Sequence, residues 1–222
     1  MNGTVIITAG GIGKRMGTEL PKQFLRIHGK PILLHTLEKF HSFDTSLQLI
    51  ITLPEEWRSY WETQLQQLNC QIPHQIVSGG IERFHSIQQA LPFCTGDFIA
   101  VHDGVRPLVS HETIRLCIEA IQTSKSVVPV LSVKDSLRMI NGTDSKLVDR
   151  NLFKLIHTPQ VFEAKTLKQA YNTSFETYFT DDASVVERLG ISPVFVESNE
   201  ENIKITTQAD LKMAAAFYFD QK

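Results

Sequence analysis

Short apolar runs recur along the chain, and the stretches between them carry nonpolar residues at helical spacing. Thr4–Thr8 (TVIIT), Leu47–Leu53 (LQLIITL), Gln75–Ser78, Phe98–His102 (FIAVH) and Ser126–Val133 read as strands. Helical patterns fit Ile32–Phe40, Glu55 to about Leu68, Phe84–Ala90, Glu112–Gln122, Ala164–Asn172, Asp182–Leu189 and Gln208–Tyr218. A run such as TVIIT lacks the apolar–polar alternation of a half-exposed strand, so it suits a strand covered on both faces. Strands alternating with helices predict an α/β, Rossmann-like fold, with a mostly parallel sheet and helices on both faces.

One segment breaks this pattern. Ser136–Arg150 (SLRMINGTDSKLVDR) is polar and holds Asn-Gly at Asn141–Gly142, flanked by Leu137, Met139, Leu147 and Val148. That combination predicts a β-hairpin projecting from the body as an arm. A lone two-stranded hairpin is marginal in water, so the arm is expected to pack on something. Length and composition (222 residues, 42% hydrophobic) allow one sizeable core, and residues 1–222 are expected to form a single domain. The net charge of −2 gives no reason to expect nucleic acid or a membrane as partner, so any anion site must be a local cluster of cations. Cys70, Cys94 and Cys117 are scattered without a CxxC, which favours reduced thiols and a cytoplasmic location. No apolar run is long enough for a bilayer, and the first residues lack the pattern of a signal peptide.

The chemistry is concentrated in Ile7–Phe24 (ITAGGIGKRMGTELPKQF). A strand runs into Gly10, Gly11 and Gly13, and Lys14, Arg15 and Lys22 follow. A dinucleotide fingerprint would need a third glycine where Met16 stands, and a Walker A loop would need glycine at Thr8 and Ser or Thr at Arg15. Neither motif is met, yet the physics they use remains. Glycines after a strand let backbone N–H groups approach a phosphate, and nearby cations neutralise its charge.

Taken with "GGIERFHSI" (Gly79–Ile87), "VHDGVRPLV" (Val101–Val109), "VDRNLFKLIHTPQVF" (Val148–Phe162), "TDDASVVERLG" (Thr180–Gly190) and "NIKITTQADL" (Asn202–Leu211), this stretch resembles the 2-C-methyl-D-erythritol 4-phosphate cytidylyltransferases over nearly the whole chain. Ribitol-5-phosphate cytidylyltransferases share the glycine loop, the PKQF run and the HD-x-x-RP motif. They are the alternative, and Thr180-Asp181-Asp182-Ala183 leans away from them. The resemblance implies cytidylyl transfer from CTP to a polyol phosphate, with Mg²⁺ or another divalent cation and release of pyrophosphate. It implies that Ala9, Gly10, Gly11 and Gly13 wrap the nucleotide, that Arg15 and Lys22 are catalytic cations on the triphosphate, and that Gly80 and Ser86 hold the cytosine. Ile81 stands where the family often carries Asp, so base choice falls to backbone groups. Asp103 is expected to touch the ribose and the second substrate, and to be the carboxylate nearest a metal held mainly by phosphates. Thr180 and Lys204 are expected to grip the methylerythritol phosphate, with Asp182 orienting that region or joining Asp181 as a helix cap. His102 is expected to pack or orient, and Arg106 to support its loop or form a surface ion pair. Ser136 and Arg150 match residues that reach the second substrate. The implied assembly is a homodimer whose arms, about 134–157, complete each other's sites.

Such a reaction explains the lack of a nucleophile motif such as GxSxG. A phosphate monoester has its second pKa near ~6 and is already mostly a dianion at neutral pH. Positioning of two anions and stabilisation of charge at the α-phosphorus are what it requires. A nicotinamide-dependent oxidoreductase is disfavoured by Met16; a binding protein without catalysis would hold CTP and release no pyrophosphate.

Overall fold

The computed structural model describes residues 2–11 and 20–219. Its centre is an eight-stranded sheet built around β1 (Gly3–Thr8). Val5, Ile6 and Ile7 of this strand are at most 1% exposed. They alternate between two cores. Val5 and Ile7 share one with α1 (Ile32–Phe43), and Ile6 belongs to the other. An uninterrupted apolar strand is therefore what the position requires, since both of its faces are covered.

A two-residue ribbon, β2 (Arg26–Ile27) with β3 (Lys30–Pro31), leads into α1. The next strand, β4 (Gln48–Leu53), lies parallel to β1 in the register Ile6↔Ile50. The predicted helix from Glu55 divides into a tight turn, Glu55–Trp57, and α2 (Arg58–Gln67). Next come β5 (Gln75–Ser78), parallel to β4, then α3 (Arg83–Ala90). The strand β6 (Phe98–Asp103) lies parallel to β1 on its other side. Trp61 of α2 and Ile114 and Cys117 of α4 (His111–Ile121) join the α1 face. Phe84 and Ile87 of α3 join the Ile6 face. Ser110 caps α4 by accepting from the Thr113 N–H at 3.0 Å.

The second half of the sheet is less regular. Around β7 (Ser126–Ser132), β10 (Lys154–Ile156) and β11 (Gln160–Glu163) run antiparallel, while β12 (Val194–Glu197) runs parallel. The order is β10-β7-β11-β6-β1-β4-β5, with β12 paired to β7. Helices α5 (Ala164–Ala170) and α6 (Asp182–Glu187) cover the Ile6 face, and α7 (Gln208–Phe219) packs beside α1 through Ala214. The expected Rossmann-like plan is thus present. The sequence pattern misses β10, β11 and β12 because runs of three or four residues are too short to show a period.

The expected hairpin forms from β8 (Leu137–Asn141) and β9 (Asp144–Val148). Its turn lies one residue further on than Asn-Gly suggests. Asn141 pairs with Asp144, and Gly142, at φ +60°, is the first residue of the connection. Glycine there avoids the steric penalty of a left-handed backbone.

Gly104 marks where the sheet meets the site. Its N–H donates to the Thr8 carbonyl at 2.9 Å, and a Cβ built on it would stand 2.9 Å from that same oxygen. Gly104→Ala should lower stability by roughly 1–3 kcal/mol, as overpacking against backbone does. Urea unfolding reads this directly; an unchanged midpoint would mean the loop yields freely.

Candidate functional site

The carboxyl ends of β1, β4, β5 and β6 open onto one edge of the sheet, the place where open α/β sheets bind ligands. Ala9, Gly10 and Gly11 leave β1 there and line a cleft together with Lys22, Gly80, Ile81, Arg83, Ser86, Asp103 and Lys204. The loop is fixed from below. Gln23 is buried and its side-chain amide donates to the Ala9 carbonyl at 2.7 Å. Phe24 beside it packs on Trp57, Tyr60 and Trp61 with ring centroids 5.6, 4.9 and 6.3 Å away. This anchoring brings Lys22 opposite the glycines, and a Cβ on Gly11 would lie 3.6 Å from Lys22 Cε.

The facing wall is the Gly79–Ser86 turn. The Gly80 N–H donates to Ser86 Oγ at 3.0 Å, and the Ser86 hydroxyl donates to the Glu82 carbonyl at 3.2 Å. A Cβ on Gly80 would meet His85 Cβ at 2.4 Å, so only glycine fits. Ile81 lies on the rim with its side chain 95% exposed.

A second cleft adjoins the first, lined by Arg83, Asp103, Arg106, His157, Thr180 and Lys204, among others. Arg83, Asp103 and Lys204 line both. Asp103 is buried and receives three cations: Lys204 Nζ at 3.0 Å, Arg106 Nε at 3.2 Å and Arg83 Nε at 3.4 Å. Burial pushes its carboxyl up, but the charges of Arg83, Lys204 and Arg106 overcome that and hold it below the usual carboxylate range. Arg106 is buried rather than in a surface ion pair, and its Nη1 also donates to the Asn202 carbonyl at 2.7 Å.

The sequence patterns point to no role for Arg83. In the structure it donates from Nη1 and Nη2 to the two oxygens of Asp182, both at 2.8 Å. Asp181 and Asp182 divide the work expected of both. Asp181 caps α6 by accepting from the Ser184 N–H at 3.0 Å, whereas Asp182 is fully buried. A lone arginine ahead of the apolar face of α3 was the available signal, but its partner is 99 residues away.

His102 orients, as expected. Its Nε2 lies 3.0 Å from the Arg106 carbonyl and its Nδ1 3.0 Å from Thr158 Oγ1, which accepts from the Asp103 N–H at 3.2 Å. A neutral ring donating from Nε2 and accepting at Nδ1 satisfies all three bonds.

The structure brings Ala9, Gly10, Gly11, Lys22, Gly80, Ser86, Asp103 and Lys204 to the first cleft, and Thr180 to the second. Gly13 and Arg15 lie outside the described residues. Ser136 and Arg150 are exposed on the arm and line neither cleft; the Arg150 guanidinium donates to the Lys134 carbonyl. Among the described residues no group of three or more His, Cys, Asp or Glu is placed to hold a metal ion. Both Asp103 oxygens are already paired, so direct ligation of a cation there would displace one of its partners. No helix among the described residues is long and apolar enough to cross a membrane.

A glycine-lined cleft at the strand ends, opening into a cation-lined second pocket, is the arrangement of a nucleotidyltransferase. Residues 4–221 match the family model described as IspD: 2-C-methyl-D-erythritol 4-phosphate cytidylyltransferase, and the chain belongs to that family. It is 49% identical over 214 residues to the Bacteroides fragilis protein of that name, covering 96% of this chain and 98% of that one. The crystal structure of a protein of the same name from Thermus thermophilus aligns with TM-score 0.78 at 30% identity and 98% of each chain. The bifunctional IspDF of Campylobacter jejuni aligns with TM-score 0.81 at 29% identity, over 95% of this chain but 53% of that longer one.

Burial holds the His102 and His157 imidazoles down at about 4. The unfolded chain takes up those protons near pH ~6.5. Stability should therefore rise with pH between about 4 and about 6.5, by up to about 1.4 kcal/mol per pH unit for each ring, and flatten above. Urea unfolding at several pH values measures this, and a flat profile across that window would show that the folded rings carry protons.

Proposed function

We propose that the protein transfers the cytidylyl group of CTP to 2-C-methyl-D-erythritol 4-phosphate, giving 4-diphosphocytidyl-2-C-methyl-D-erythritol and pyrophosphate. The carrying observation is the pair of clefts meeting at Arg83, Asp103 and Lys204. An attacking phosphate in the second cleft and an α-phosphorus in the first would be neighbours at that junction. The glycine loop suits the triphosphate, since bare backbone can approach closely. Gly80 and Ser86 suit the cytosine, and the exposed Ile81 side chain offers no polar atom to the base. Thr180, Lys204 and Asp103 suit the second substrate.

The nucleophile is already an anion, so no base is needed, and catalysis rests on positioning and charge. Lys22 in this reading stabilises charge growing on the α-phosphate, with Arg15 as its partner by motif. A divalent cation, held mainly by the phosphates with Asp103 as the nearest carboxylate, would neutralise the triphosphate and align it. Around the second cleft Arg83, Arg106 and Lys204 stand among Asp103, Asp181 and Asp182, and their charged N–H donors suit a phosphate ester. Ribitol 5-phosphate is the competing acceptor. Pyrophosphate release should be seen with CTP, Mg²⁺ and methylerythritol phosphate; release with ribitol phosphate alone would overturn this assignment. Lys22→Ala should lower kcat by roughly 10²–10³, the loss of one preorganised transition-state donor, whereas a change confined to CTP affinity would make Lys22 a binding residue only.

We also propose that residues 1–222 act as one domain and work as a homodimer in which the arm, about 134–157, reaches the partner's second cleft. Leu152, Phe153, Leu155 and Ile156 are all more than 40% exposed, an apolar stretch suited to burial against a second copy. Ser136 and Arg150 would then act in trans, consistent with their lining neither cleft of their own chain. After subunit exchange, Lys22→Ala mixed with Arg150→Ala should regain about one quarter of wild-type activity, since about half the dimers are mixed and each has one intact site. Verified exchange with no activity regained would place Arg150 in its own chain's chemistry or in none.

A further inference from the structure

The Arg83–Asp182 pair ends in a residue that touches neither cleft. Asp182 Oδ1, besides accepting from Arg83, accepts the Tyr171 hydroxyl at 2.6 Å. Tyr171 is 2% exposed, and its ring stacks on Phe84, the neighbour of Arg83, at 4.7 Å between centroids. Asp182 is held from its backbone too, because its N–H donates to Gln160 Oε1 at 3.0 Å. Arg83 of α3 and Tyr171 at the end of α5 thus meet on one buried carboxylate whose backbone is held by Gln160 of β11, and that carboxylate holds one guanidinium.

We propose that Tyr171 and Asp182 are positioning residues that lock Arg83 at the junction of the two clefts, and that Arg83 so held binds the phosphate of the acceptor. A guanidinium has five N–H groups. Three are used, two on Asp182 and one on Asp103. The remaining two belong to a side chain that is 30% exposed and lines both clefts. An anion there meets a donor that has lost its rotamer freedom in advance, so little ordering remains for the ligand to impose. Lysine at this position would keep the charge and lose the bidentate anchor. Asp182 also offsets part of the charge. Without it Arg83 would be drawn more fully onto Asp103, away from an incoming phosphate.

The substrate class rests on the reading above, so the test separates the two. Wild type, Tyr171→Phe, Arg83→Lys and Asp182→Asn are compared in two ways: calorimetric binding of inorganic phosphate, and kcat and KM for each substrate. Tyr171→Phe removes one oxygen from a buried contact that lines neither of the two clefts. It should weaken phosphate binding and raise the acceptor KM by roughly three- to tenfold, through loss of one charge-assisted hydrogen bond, while the KM for CTP changes less than twofold. Arg83→Lys should show a larger effect of the same pattern. A purely structural role would lower the melting temperature of Tyr171→Phe and leave the phosphate Kd and the acceptor KM at wild-type values; that result would overturn the relay. Wild type inactive on methylerythritol phosphate, with phosphate binding still weakened in the variants, would overturn the substrate assignment and leave the relay standing.

Discussion

The site depends on one buried carboxylate. Asp103 sits at the end of β6 with Arg83, Arg106 and Lys204 around it, each brought from a different part of the chain. Isolated in that setting, a carboxylate would be too costly to keep ionised. With three cations it stays charged, and in turn it holds them close to one another despite their mutual repulsion. Their convergence fixes where α3, the loop after β6 and the Asn202–Ile205 segment stand relative to the sheet. Arg106 extends the same tie to the Asn202 carbonyl, and the Ile205 N–H donates to the Val105 carbonyl at 3.0 Å.

The surroundings serve that carboxylate. His102 is kept neutral beneath it, and its two ring nitrogens span the Arg106 carbonyl and Thr158. Thr158 accepts from the Asp103 backbone. A proton on both nitrogens would leave the Thr158 hydroxyl without its acceptor and add a fourth positive charge to a region that already holds Arg83, Arg106 and Lys204. Along the glycine-lined cleft the backbone itself shapes the space. Gly80 and the Ala9–Gly11 stretch leave space, and buried Gln23 holds the Ala9 carbonyl in place.

Features with a local signature were legible in the sequence. β1, β4 and β6 were visible because a strand covered on both faces must be apolar throughout, and the arm because its turn and polar flanks break the helix–strand alternation. Part of the lining of the two clefts followed from motif matches at Gly10, Gly11, Lys22, Gly80, Ser86, Asp103, Thr180 and Lys204. What could not be read was pairing across the chain. Nothing near Arg83 announces Asp182, and nothing near Tyr171 marks its hydroxyl as a donor to that carboxylate. The split between Asp181 as cap and Asp182 as buried anchor turns on which way each side chain leaves the start of α6, which adjacent identical residues do not reveal. The short strands β10 to β12 were missed because tertiary pairing with β7, not a period of their own, makes them strands.

The common wall of the two clefts has a consequence for the end of the cycle. On the proposed reaction the cytidylyl product would lie across that wall, with its nucleoside in one cleft and its polyol in the other. It would exclude a fresh molecule of either reactant until it departs. Pyrophosphate would touch only the glycine-lined end. The two products would therefore inhibit differently, the larger one against both reactants and the smaller against the nucleotide alone. Escape of the larger product, which must leave two clefts at once, is the step on which this geometry places the greater burden.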